Sequence, residues 1–196
     1  MKNINKVMDI VYEYGGVVKT EELDRLNIHR GYLRTMVERG MLEQSARGVY
    51  ILPDRIDDEL FNLQSRLRKG VFSNGTALYL LGFSDRTPSK FDMTFPASYN
   101  TSSVKDEIVA HRVKKELYEN GIITVKTPFG NEVNAYCIGH TLCDILHERY
   151  CIDIQTITDA FKRYARHKDK NLHRLMEFSK IARVEERVRR YMEVLL

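Results

Sequence analysis

Residues 20–52, TEELDRLNIHRGYLRTMVERGMLEQSARGVYIL, leave little freedom in how they fold. Thr20 suits a helix N-cap, because its hydroxyl can accept from a free amide of the first turn. Glu21 and Glu22 follow where carboxylates meet the positive end of the helix dipole. Leu23 and Leu26 give this short helix an apolar side, and Asn27 tolerates the left-handed geometry that ends it. A second helix is expected over residues 28–39, with Leu33, Met36 and Val37 facing inward at helical spacing. Its outer side carries His29, Arg30, Arg34 and Thr35, with Tyr32 at the margin and Gly40 as the stop. Residues 41–44 and 49–52 are strand-like, and residues 45–48 make the turn between them, with Arg47 at its tip. Helix, tight turn, helix and hairpin in that order describe a winged helix-turn-helix.

That order gives the polar residues a job. In helix-turn-helix proteins the second helix enters the major groove and its N-terminal residues meet base edges. Arginine can bond guanine bidentately, and other cationic contacts hold phosphates. The candidate DNA-binding residues are therefore Lys19, Thr20, His29, Arg30, Tyr32, Arg34, Thr35, Arg39 and Arg47. The local charge does not decide the matter: residues 27–52 hold Arg30, Arg34, Arg39 and Arg47 against Glu38 and Glu43, a balance of +2. A helix pair with surface arginines also fits a small helical subdomain or a protein-binding winged helix.

Around this module the chain reads as α+β. Residues 3–14 form a first helix, with Ile4, Val7, Met8, Val11 and Tyr12 on one face, stopped by Gly15-Gly16. Val17-Val18-Lys19 is a short extended link into Thr20. Pro53-Asp54 breaks the pattern, so residues 1–52 are assigned to a winged helix-turn-helix domain and residues 53–196 to a mixed α/β C-terminal domain with a helical tail. In that second part helices are expected over residues 57–69 and 76–81. Strands are expected over residues 71–73, 91–95, 108–112, 122–127 and 133–138, and helices again from His140 onward. The first residues, MKNINKVMDIVYEYGG, are an interrupted amphipathic pattern rather than a signal peptide. No apolar run approaches the roughly 20 residues that span a bilayer. A cytoplasmic location with no membrane partner is expected. The net charge of +4 and pI near 8.9 permit nucleic acid as a partner without demanding it.

The tail has a charge feature of its own. Residues 160–190 hold eleven basic side chains against four acidic ones, a balance of +7, more than the +4 of the whole chain. Lys162, Arg163, Arg166, Lys168, Lys170, Arg174, Arg183, Arg187 and Arg190 form a candidate second contact for DNA phosphates or RNA. They also suit the solvated outer faces of amphipathic helices whose inner faces carry Phe161, Tyr164 and Leu175.

Chemistry finds little support. Three cysteines (137, 143, 151) cannot all pair within one chain. Cys143, His147 and Cys151 fall four apart and would share a face on a single helix, with Cys137 or His140 as a fourth ligand. Zinc sites, however, usually draw close ligand pairs from separate segments. Cys143 and His147 could also be a nucleophile and its base, but no orienting partner or oxyanion hole accompanies them. No phosphate-binding loop, dinucleotide fingerprint or zinc-protease motif is present, so no enzyme activity, cofactor or metal is expected.

The segments in sequence resemble the AbiEi family, the antitoxins of AbiE toxin–antitoxin and phage abortive-infection systems. The resemblance rests on RGVYILP (47–53), VFSNGTALYLLGFSDRTP (71–88), FDMTFP (91–96) and TPFGNEVNAYCIGHTLCDIL (127–146), followed by a helical tail. Two places depart from the family pattern. His29-Arg30 stands where a small capping residue such as Ser is usual, and Gly139-His140 where an acidic-basic pair is usual. The resemblance implies a repressor whose winged helix binds inverted repeats in its own promoter. It also implies a C-terminal domain that antagonises a cognate nucleotidyltransferase-like toxin without a stable toxin–antitoxin complex. The residues themselves leave a second reading open, a winged-helix transcriptional regulator whose C-terminal domain binds a ligand or dimerises.

Overall fold

The computed structural model describes residues 2–54 and 58–195. Two compact units divide it, Met1–Leu67 and Arg68–Leu196.

In the first unit, apolar side chains three and four apart bury one stripe of α1 (Lys2–Glu13): Val7, Ile10 and Val11. Ile10 takes the inward place that the sequence gives to Tyr12, which is 62% exposed. Gly15 and Gly16, both at positive φ, reverse the chain. The next three residues are more than a link. They form a strand, β1 (Val17–Lys19), and the helices α2 (Thr20–Arg25) and α3 (Gly31–Glu38) follow. A hairpin closes the unit's sheet, β2 (Glu43–Ala46) and β3 (Val49–Ile51). β3 lies in the middle of the antiparallel order β1-β3-β2. Val17 and Val18 pair with Ile51 and Tyr50, so β-branched residues leaving the glycine turn gain a ladder partner.

Four local expectations are corrected here. Lys19, not Thr20, occupies the N-cap of α2, and its amide donates to the Glu22 carboxylate at 2.7 Å. Leu26 is 46% exposed; Leu23 alone carries the buried side of that helix. The second helix starts at Gly31, so His29 and Arg30 stand in the turn before it. There Ile28 folds back, its amide donating to the Leu23 carbonyl, while Asn27 sits at φ 53. The hairpin turn is Arg47-Gly48 alone, with Ala46 opposite Val49 and a register irregularity between Gln44 and Ala46.

The first unit runs on to Leu67 because α4 (Glu59–Arg66) packs on the sheet. Asp58 caps α4 by accepting from the Phe61 amide at 3.1 Å. Phe61 lies against the small cluster of Val17, Val49 and Ile51, with the Lys19 amine 4.5 Å above its ring. Asn62 donates to the Ser45 hydroxyl. The sequence places this helix with the C-terminal residues because the Pro53-Asp54 break is visible there and the packing partner is not.

The second unit is built on a mixed five-stranded sheet of β4 (Val71–Phe72), β5 (Asp92–Pro96), β6 (Val109–Val113), β7 (Ile122–Lys126) and β8 (Glu132–Tyr136), in the order β6-β5-β4-β8-β7. The pairings β4 with β8 and β5 with β6 are parallel, and the other two antiparallel. Pro96 is tolerated at the end of β5. The Ala97 amide already serves the β6 side, and β4 ends before its other edge reaches Pro96. α5 (Asn74–Leu80) follows β4, and α6 (Lys115–Tyr118) follows β6. The C-terminal half carries α7 (Ile138–Asp144), a 3-10 turn (Glu148–Tyr150), α8 (Ile154–Arg166), α9 (Leu172–Ala182) and α10 (Glu185–Leu195). Their core joins Leu78, Leu142, Cys143, Phe161, Leu175 and Val188. Side chains of Asp153 and Asn171 cap α8 and α9 by accepting from the amides of Thr156 and Arg174. Gly139 has a packing reason: a Cβ there would stand 2.9 Å from the Phe178 ring, so α9 closes on α7 only where a side chain is missing. Among the described residues no helix is long and apolar enough to cross a membrane.

Candidate nucleic-acid interface

Helical periodicity puts Arg30 and Arg34 on one line of α3 and its approach, and Thr35 and Arg39 on the neighbouring line. His29, Arg30, Arg34 and Arg39 are exposed, and Thr35 is half-buried, its hydroxyl donating to the Gly31 carbonyl at 3.4 Å. Behind them Leu33 and Met36 are fully buried against α1, which fixes the face that α3 presents. Tyr32 is half-buried and packs on that core, so only its edge is available. His29 turns its Nδ1 back to accept from the Gly31 amide at 3.2 Å, satisfying a free donor of the first turn.

Arg34 is 86% exposed and pairs with Glu38 one turn on, Nε to Oε1 3.1 Å. Such a pair on a solvated helix face contributes only about 0.3–0.5 kcal/mol, so the guanidinium is held loosely. Arg47 is exposed at the two-residue tip of the hairpin. Lys19 and Thr20 belong to the frame instead. The Lys19 amine covers Phe61, and both the Thr20 amide and hydroxyl donate to the Gly48 carbonyl, at 2.9 and 3.0 Å.

The nine basic residues singled out in the tail are all exposed, but they are not equivalent. Arg163 is committed to a two-pronged pair with Asp85 and to the Gly82 carbonyl. That pairing holds the Asp85 carboxyl below its ordinary range. Arg187 donates to the Leu146 carbonyl, Arg174 lies over Phe178, and Arg190 faces Glu186 at 4.0 Å. Lys162 and Arg166 stand one turn apart on the outer side of α8, opposite the buried Phe161 and Tyr164. Lys168 and Lys170 continue from them in the loop before α9.

Cys143, His147 and Cys151 do not share a helix, because α7 ends at Asp144. Cys143 is buried in the core, where burial pushes its thiol well above the usual range, which opposes the thiolate a nucleophile needs. Cys151 is exposed at φ 52. Among the described residues no three His, Cys, Asp or Glu side chains converge as metal ligands. A polar cluster on the sheet itself goes unmarked by the sequence motifs. His111 Nε2 meets Asp92 Oδ1 at 2.8 Å, and Thr94 donates to Ser73 at 2.9 Å. The signal lies in Phe91-Asp92-Met93-Thr94-Phe95. Polar residues alternate there on a strand that the structure buries on both faces.

Residues 5–53 match a family of transcriptional regulators, the AbiEi antitoxins. Among solved structures, the RV2827C protein from Mycobacterium tuberculosis is similar at a TM-score of 0.58. The identity is 15%, and the likeness covers 100% of this chain and 81% of that one. At that identity the likeness speaks for the fold alone. No curated protein matches the chain. The resemblance to AbiEi antitoxins read from the sequence is thereby borne out, carried by a family match that spans residues 5–53.

Proposed function

We propose that the first unit is a winged helix-turn-helix that binds inverted repeats in the promoter of its own operon and represses it. In this reading α3 is the recognition helix, Arg30 and Arg34 meet base edges, and Arg39 and Arg47 hold phosphates on either side. The observation that carries it is the placing of exposed Arg30 and Arg34 on one line of a helix whose opposite face is locked into the core, inside the matched segment. The second unit acts as the antitoxin part. It antagonises a nucleotidyltransferase-like toxin in the cytoplasm without forming a stable complex, an expectation that the family resemblance supports and the residues do not supply.

Fluorescence anisotropy on the chain's own upstream DNA and on a scrambled duplex, across a range of salt, tests the repressor half. Preference for the upstream site, with affinity falling steeply as salt rises, is the expected result. Equal affinity for both duplexes would reduce the protein to a nonspecific basic binder. Co-expression with the neighbouring toxin tests the antitoxin half, and failure to rescue growth would end it.

A further inference from the structure

A cavity of about 400 Å³ lies inside the second unit, between the β5–β6 edge and the helices α7 and α9. Three cationic side chains from three separate elements reach it: Lys114 at the end of β6, Arg149 on the 3-10 turn and Arg183 just after α9. Two carboxylates share the lining, Glu116 and Asp144. Asp144 is already engaged, since His140 Nε2 lies 3.2 Å from its Oδ2 and the His140 ring is stacked 4.0 Å from Tyr136. His147 also lines the cavity. Burial first, then Arg149 and Arg187, lower its pKa against the opposing pull of Asp144 and a backbone contact at Ala182. The apolar part of the wall is Leu117, Ile181 and Ala182.

Arg149 is only partly occupied. One nitrogen donates to the Tyr150 hydroxyl at 2.7 Å while the guanidinium lies over that ring at 4.6 Å, which orients the fork and leaves its other donors for a ligand. The same arginine borders a second concavity with His111 and Arg112. Three cations against two carboxylates, one of them already paired with His140, leave the lining with cationic donors for an anion. A phosphate dianion offers three terminal oxygens to three cations, where a carboxylate offers two. The apolar wall would cover an organic body, and the volume falls in the range of small-ligand sites.

We propose that this cavity binds a small phosphomonoester, its phosphate held by Lys114, Arg149 and Arg183 and its organic body against Leu117, Ile181 and Ala182. The proposal stands independently of DNA binding by the first unit.

Calorimetric titration of the full chain with adenosine monophosphate, inorganic phosphate, adenosine and succinate tests it. Adenosine monophosphate is expected to bind, and adenosine and succinate are not. Arg149→Gln and Lys114→Gln should each weaken binding at least about tenfold, the effect of removing one charge-assisted hydrogen bond. Arg183→Asn, which keeps a residue tolerant of the left-handed backbone at φ 59, should do the same. Lys90→Gln, at an exposed residue outside the cavity lining, should bind like the unaltered chain, and thermal unfolding checks that each variant is folded. Equal affinity for inorganic phosphate and the nucleotide would support the anion site and assign it to free phosphate. No binding of either at millimolar concentrations, equal binding of adenosine, a preference for succinate, or unchanged affinity in Arg149→Gln would each overturn the proposal.

Discussion

At the scale of the residue, the interface turns on side chains that are exposed but differently committed. Arg34 must leave Glu38 to reach a base, and the pair it leaves is weak. Arg34→Ala should therefore cost about 1–3 kcal/mol on the operator and little on scrambled DNA. Glu38→Ala should leave operator affinity the same or raise it about twofold, the worth of a released surface pair. Anisotropy on both duplexes separates these outcomes, and equal loss on both for Arg34→Ala would make it a phosphate contact only. His147 gives a prediction in pH. Its folded pKa lies below the ordinary 6.5, so the unfolded chain takes up the proton first as pH falls. Stability is undiminished above about pH 6.5 and declines as pH drops through the lowered folded value. His147→Gln should flatten that decline in denaturant midpoints between neutral and mildly acidic pH, above the range in which Asp85 and Asp153 titrate.

Among elements, α7 and α9 meet because Gly139 offers no Cβ to Phe178. Alanine at that position gains helix propensity of about 1 kcal/mol but forces a ring already in contact to move, which costs about 1–3 kcal/mol. Gly139→Ala should then lower stability by about 1 kcal/mol, and Phe178→Leu in the same background should recover part of it. Urea unfolding of the single and double variants measures the coupling. The departure at Gly139-His140 was visible in the sequence, but the reason for the glycine was not, because Phe178 is distant in the chain. Elements with strong local signals were legible: α1, the α2–α3 pair, the hairpin and the strands of the second unit lie within a few residues of their expected places. What failed was decided by nonlocal partners. Val17-Val18-Lys19 became a strand only because β3 was there to pair with it. Helix α4 joined the first unit because Phe61 found Val17, Val49 and Ile51. Of the candidate DNA contacts, His29, Arg30, Arg34, Arg39 and Arg47 are exposed, while Tyr32 and Thr35 are half-buried. Lys19 and Thr20 look identical to them in sequence, yet serve the frame.

For the whole molecule, charge is the property that sequence conveys best and geometry refines most. The +7 of residues 160–190 overstates what a polyanion would meet, since Arg163, Arg187 and Arg190 already face protein acceptors. Among the remaining cations, Lys162, Arg166, Lys168 and Lys170 follow one another along α8 and the loop after it. If these touch DNA, replacing all four by Gln should reduce the slope of log affinity against log salt by about 0.9 for each phosphate no longer neutralised. The reduction should be equal on operator and scrambled duplexes, unlike the effect of Arg34→Ala. An unchanged slope would mark them as solvated helix faces.

The hairpin is fastened before any partner arrives. Two donors of Thr20 converge on the Gly48 carbonyl, and Gly48 has no room for a Cβ, which would stand 2.8 Å from the Thr20 hydroxyl. A tip held in this way has little disorder left to lose on association. In stopped-flow mixing, the observed rate should rise linearly with duplex concentration, without the plateau that a slow ordering step would impose. A threonine at the first position of a helix would thus set the kinetics of a contact made by an arginine elsewhere in the chain.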